Sequence, residues 1–165
     1  PNGSRKQNLS CPTGVKRIAG PKPCIGDKMQ TFLPYPSYSK SVNCLDYKRL
    51  GKQRVEAMQI YNVLTEPNRM GWKNHPAVKM WRGYEDALAV YHNLCIIVWM
   101  SRGYNNTMKL IKAGSSAKIK YPPWLGDERL HSSHRANLLR KDYAFYSKYK
   151  WTEDPVMEYF WPEET

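Results

Sequence analysis

Four polar side chains in the segment LDYKRLGKQRVE, Leu45 to Glu56, recur at a spacing that can do chemistry. Asp46, Arg49, Gln53 and Glu56 follow one another at intervals of three, four and three residues, so on a helix they share one face. Lys48 and Lys52 border that face. Guanidinium and ammonium groups hold phosphate oxygens. A carboxylate among them handles protons or stabilises a cationic intermediate. The same spacing also suits a solvated helix face laced by ion pairs. Arg54 argues against that simpler reading, because it interrupts the apolar stripe of the same helix, where an arginine snorkels or reaches a buried anionic partner.

Three further clusters have compositions suited to an anionic ligand. Trp72-Lys73-Asn74-His75 lies directly before Pro76, a first-turn residue, and a helix N-terminus favours phosphate oxygens. There Asn74 or His75 caps the helix, contacts DNA, or does both. HSSHRANLLRK, His131 to Lys141, places His134, Arg135, Arg140 and Lys141 near a helix start. His131 and His134 have no companion carboxylate or cysteine at metal-ligand spacing, so no metal site is expected, and a phosphate clamp or simple capping fits better. Tyr121-Pro122-Pro123-Trp124 carries aromatic rings that either stack on bases or fill the core.

The whole chain points to the same class of ligand. Its 165 residues carry a formal charge of +12, and 13% are aromatic. Such an excess of positive charge implies a polyanionic partner, of which nucleic acid is the usual one and an acidic membrane surface the rival. With 41% hydrophobic residues the chain has enough apolar side chains to bury a core, which excludes a disordered chain. Cys11, Cys24, Cys44 and Cys95 form no C-x-x-C pair, which argues against a zinc ribbon or a disulfide framework and fits a reducing compartment. The N-terminus lacks the apolar stretch of a signal peptide, and 87–100, the most apolar run, is too short to span a membrane. We expect a cytoplasmic protein with no membrane partner.

The elements that must position these residues are helical. Residues 1–28 are rich in Pro, Gly, Lys and Arg without periodicity. They read as a basic, flexible extension ahead of a compact domain over 29–165, with Met29 an alternative start. An extended entry with Pro34 and Pro36 leads into a helix predicted over 41–64. A second helix is predicted over 76–102, where Ala77, Trp81, Tyr84, Leu88, Tyr91, Cys95 and Val98 repeat at three and four, with Gly103 as its stop. After a polar linker a third is predicted over 132–148, capped by Ser132 or Ser133. The aromatic tail, with Trp151, Tyr159, Phe160 and Trp161, is expected to pack back over the core. No strand pattern is present, so the fold expected is all-α: one compact domain of about three main helices with long irregular connections.

Taken in order, MQTFLPYPSYSKSVNCLDYKRLGKQRVEAMQI, GWKNHPAVKMWRGYEDALAVY, PPWLGD and LHSSHRANLLRKD resemble the pyrimidine-dimer DNA glycosylase family, in its bacterial and phage branch. The resemblance covers roughly 29–162. It implies a repair enzyme, acting as a monomer on UV-damaged double-stranded DNA, that cuts the glycosidic bond and then nicks the abasic site. The nucleophile it implies is the α-amino group of the mature N-terminus, which forms a Schiff base at C1′. A terminal amine of pKa about 7.7–8.0 is roughly a fifth to a third neutral near pH 7.4, against about 0.1% for an ordinary lysine. No cofactor is implied, since the imine is the electron sink.

Carried onto this chain, the resemblance makes Glu56 the assisting glutamate, with Asp46 as second choice, and Met29 or Gln30 the bearer of the amine. Gln is too large for easy removal of a preceding Met, and with the extension retained Pro1 is a further candidate amine. A gap-free match anchored on Leu50 places the family's flanking arginines on Val55 and Gln59, so Arg49 and Arg54 are read as their replacements. Arg49 joins the catalytic set. Lys48, Lys52, Gln53, Arg54, Asn74, His75, His134, Arg135, Arg140 and Lys141 are the DNA-binding candidates. Two other readings stand beside this one: a non-enzymatic nucleic-acid-binding module, and a metal-dependent nuclease using His75, His131 and His134.

Overall fold

A computed structural model describes residues 29–69 and 71–162; the basic segment 1–28, with Pro1, Cys11 and Cys24, lies outside them. The described residues form six α-helices and no strand: α1 (Tyr38–Cys44), α2 (Tyr47–Thr65), α3 (Pro76–Lys79), α4 (Glu85–Ser101), α5 (Glu128–Lys141) and α6 (Tyr143–Tyr146). Among them no helix is long and apolar enough to cross a membrane.

Each of the three long helices expected from periodicity is built as a pair, broken where a polar cap or a positive φ intervenes. The helix expected over 41–64 begins at Tyr38, capped by Ser37, and stops when Leu45 turns extended. Asp46 then restarts it, its carboxylate accepting from Lys48 N at 2.8 Å and Arg49 N at 3.2 Å. The one expected over 76–102 is interrupted at 80–84, where Gly83 takes φ 82° and Tyr84 leaves the helical region. Gly103, at φ 84°, ends α4 as anticipated. The third starts at Glu128, because Asp127, five residues before the first of the serines, caps it. It breaks at Asp142, which is extended (φ −158°, ψ 78°) and caps α6.

Helices α2 and α4 are the central pair. Leu50, Ala57, Ile60 and Val63 of α2 meet Leu88, Tyr91 and Cys95 of α4 in one core. Polar residues inside the apolar α4 have work to do there. Asn93 Nδ2 donates to Ile111 O at 2.7 Å and its Oδ1 accepts from Ile111 N at 2.8 Å. His92 Nε2 lies 3.3 Å from Lys109 O. These side chains pin the long connection 102–127, which contains only a single 3-10 turn at Ser116–Lys118.

The entry segment 29–34 is buried, although it belongs to no helix or sheet. Its backbone polar groups must therefore be satisfied by side chains. Gln53 of α2 brackets it, donating to Gln30 O and accepting from Phe32 N, both at 2.8 Å. His134 of α5 accepts from Leu33 N at 2.9 Å, and His131 Nδ1 lies 2.7 Å from Leu33 O. Gly126 N donates to His131 Nε2 at 3.0 Å, which leaves the His131 proton on Nδ1. The tail packs back as expected: Trp151 stacks on Tyr149 and Tyr146, and its Nε1 donates to Tyr35 OH at 3.0 Å.

Candidate active site

This threading of the entry segment builds a cavity of about 260 Å3 against α2. Gln30 and Phe32 come from the entry, Lys48, Arg49, Lys52 and Glu56 from α2, Lys141 from the last turn of α5, and Tyr159 from the tail. Glu56 lies inward, with 7% of its side chain exposed, and Lys52 stands at the rim with 65% exposed. Four cations thus surround one carboxyl group.

The Glu56 carboxyl is held on several sides. Gln53 Nε2 donates to Oε2 at 2.9 Å, and Lys52 Nζ lies 3.6 Å from Oε1. Burial pushes its pKa up to about 7, against the opposing pull of Lys52, of the Gln30 backbone N–H and of Lys141. Desolvation outweighs the cations because a buried carboxylate loses its hydration whereas the rim ammonium keeps most of its own. A carboxyl that gives and takes a proton near neutral pH is what acid–base catalysis requires.

The backbone N–H of Gln30 reaches the same carboxylate. Met29, one residue earlier, lines a neighbouring cavity of about 290 Å3 with Gln59, Val63, Arg69, Gly71 and Trp72.

Arg49 borders the main cavity but is committed to protein partners. It donates to Lys141 O at 3.0 Å and lies 3.4 Å from Asp46 and 3.6 Å from Asp142. Asp46 does not line this cavity: it caps α2 and accepts from Tyr146 OH at 2.6 Å. Lys48, Lys52, Glu56 and Lys141 are brought together with Gln30.

The other candidates do not line the cavity, although Gln53 holds Glu56 from behind. Gln53 is fully buried and serves the entry segment. Arg54 packs over the Trp99 ring at 4.0 Å and donates to Asn106 Oδ1 at 2.8 Å, which accounts for an arginine within an apolar stripe. His134 has no exposed surface, and burial pushes its pKa down to about 3, so it is neutral. Arg135 is spent on Glu153 at 2.5 Å, on Glu128, and on Pro34 O at 2.9 Å. His75, not Asn74, caps α3, accepting from Ala77 N at 3.1 Å, with Trp72 and Trp161 edge-on to its ring. Asn74 is exposed beside it. Arg140 reaches Asn137 one turn back on α5.

Two members of the cavity, Phe32 and Tyr159, carried no signal in the sequence. Tyr159 lies more than a hundred positions from Glu56, and no spacing rule connects an aromatic tail to a particular helix face.

The segment that builds most of this cavity also matches a family model. Residues 29–112 match the model described as pyrimidine dimer DNA glycosylase, a span that takes in the entry segment and α1 to α4. No curated protein and no solved structure matches the chain.

Proposed function

The chain belongs to the pyrimidine dimer DNA glycosylase family, and on that premise we propose that it removes the damaged base by amine attack and then nicks the abasic strand as a lyase. Its substrate in this reading is double-stranded DNA carrying UV-induced pyrimidine dimers, on which it acts as a monomer. The observation that carries the reading is the inward-facing Glu56 carboxyl in a cavity lined by Gln30, Lys48, Arg49, Lys52 and Lys141, where burial raises its pKa.

Each residue then has a task. In a chain freed of segment 1–28, an α-amino group on Met29 or Gln30 attacks C1′ from beside Glu56. Nucleophilic catalysis needs the neutral amine, and a carboxylate of matched pKa is suited to take its proton. Attack forms the C1′–N bond and breaks the glycosidic C–N bond; one amine proton goes to the departing base nitrogen, the other passes through Glu56 to O4′ as the sugar ring opens, and the imine remains with Glu56 again a carboxylate. The Glu56 carboxylate then removes a C2′ proton, and the 3′ phosphate departs. Lys48 and Lys141 face the flanking phosphates, Arg49 holds the end of α5 through the Lys141 carbonyl, and Lys52 biases the charge of Glu56. The lesion itself lowers the cost of opening the duplex far enough for C1′ to reach the cavity.

Borohydride added during reaction with UV-irradiated duplex tests this. A covalent protein–DNA adduct and strand nicking at dimers are expected. Salt-sensitive binding with neither adduct nor nicking, and with no preference for irradiated duplex, would leave only a nucleic-acid-binding module.

A further inference from the structure

Lys52 has a chemical position that phosphate binding leaves unused. Its Nζ stands 3.6 Å from Glu56 Oε1, one helical turn away, at the rim of a cavity whose inner wall carries that acid. Both groups line one cavity, the amine exposed and the acid buried. Lys48 is placed differently: its ammonium leans towards the Tyr47 ring, 5.8 Å from the centroid, and not towards Glu56.

We propose that Lys52 is a second Schiff-base amine, acting on abasic sites that have already lost their base. This rests on the reading of the cavity as a deoxyribose site. It gives the lyase step an amine of its own, independent of Met29 and Gln30. The two substrates differ in what they demand. Displacing an intact base requires the better nucleophile, whereas the ring-opened abasic sugar already presents an aldehyde, and imine formation on an aldehyde is within reach of a lysine whose proton has a nearby acceptor.

The steps balance without a cofactor. Glu56 takes one proton from the Lys52 ammonium, and Nζ adds to the C1′ carbonyl to give a carbinolamine. Glu56 returns the proton to the carbinolamine hydroxyl, which leaves as water and gives the iminium. The regenerated carboxylate removes a C2′ proton, the electron pair moves into the C2′–C3′ bond, and the C3′–O bond breaks with loss of phosphate. Water then hydrolyses the imine, returning Lys52 and leaving an unsaturated aldehyde on the nicked strand.

The test uses the whole chain, in which the backbone nitrogens of Met29 and Gln30 are peptide nitrogens, with a duplex carrying one preformed abasic site. Borohydride is added, and the adducted peptide is identified by mass. An adduct on Lys52 is expected. Lys52→Arg keeps the cation but lacks the amine, and should lower the single-turnover trapping rate at saturating enzyme by about tenfold or more. Duplex affinity and thermal unfolding are measured on the same variant. An adduct on Lys48, Lys141 or the terminal amine, or wild-type trapping by Lys52→Arg, overturns the inference. Dimers incised through another amine, with no Lys52 adduct on abasic duplex, would sink this inference alone. A Lys52 adduct on abasic duplex with no action on dimers would sink the proposed function alone.

Discussion

Glu56 carries opposite consequences for catalysis and for stability. Its carboxyl is held at about 7 in the folded chain, above the ordinary value of 4.5, chiefly by burial. A raised acid pKa means that the folded state holds a proton which the unfolded state has released, so stability falls as pH rises between these values. Glu56→Gln mimics the protonated form and escapes that loss. Its advantage over wild type should be near zero at pH 4, grow from about pH 4.5 to 7, and level above that at up to about 3 kcal/mol, at 1.36 kcal/mol per pH unit. The same variant should lose about 10²–10⁴-fold in single-turnover incision. Urea unfolding at pH 4, 6 and 8, beside incision kinetics, reads both. A stability gain independent of pH would show that Glu56 is not the titrating group. The face that Glu56 shares with Gln53, bordered by Lys52, was legible from helical spacing, whereas the choice of Glu56 over Asp46 as the acid came from the family resemblance. The fates of Gln53, Arg54 and His134 were not, because spacing defines a face and says nothing of what packs against it. Gln53 and His134 hold the buried entry segment, and Arg54 lies on Trp99.

At the scale of elements, the all-helical character and the stop at Gly103 were legible, since they depend on local pattern. The breaks within the helices were not, because apolar periodicity runs straight through them. Leu45 and Asp46 keep the stripe in register while their backbones leave the helix. This break matters to the site, because it sets the start of α2 and hence the direction in which Lys48, Lys52 and Glu56 face. Asp46→Ala removes an N-cap, typically worth about 1 kcal/mol. It also deprives the buried Tyr146 hydroxyl of its acceptor, at about 1–3 kcal/mol. A loss of about 2–4 kcal/mol is expected by thermal or urea unfolding. Asp46→Asn caps nearly as well and should retain most of the incision rate, which a catalytic acid at this position would not permit.

The whole molecule brings the site together from four separated stretches: entry, α2, the end of α5 and the tail. Its charge of +12 supplies long-range attraction for DNA, but only cations at the cavity should count as phosphate contacts. Lys48→Gln and Lys141→Gln should each flatten the slope of log affinity against log salt by about 0.9, and Arg54→Gln should leave the slope unchanged. Titrations of duplex binding at several salt concentrations distinguish the two groups.

The tail depends on Arg135, which joins Glu153, Glu128 and the Pro34 carbonyl and so ties tail, α5 and entry segment at one point. The side chains of Arg135 and Glu153 are 12% and 13% exposed, so the pair is largely desolvated. Arg135→Met would strand the Glu153 carboxylate, and removing one partner of a buried pair costs about 3–5 kcal/mol. The tail should detach before the helices unfold, because it forms no helix of its own and is held by side-chain contacts such as the Trp151–Tyr35 hydrogen bond and the stacking of Trp151. Trypsin cleavage at Lys150 should therefore accelerate at temperatures where the helical signal is still intact. Tyr159 leaves the cavity with the tail, so KM for damaged duplex should rise more than kcat falls. Pairing Arg135→Met with Glu153→Leu removes the stranded charge, and should restore part of the unfolding free energy while leaving the tail loose and KM high. If KM returned to the wild-type value along with stability, delivery of Tyr159 by the Arg135 tie would not be what completes the site.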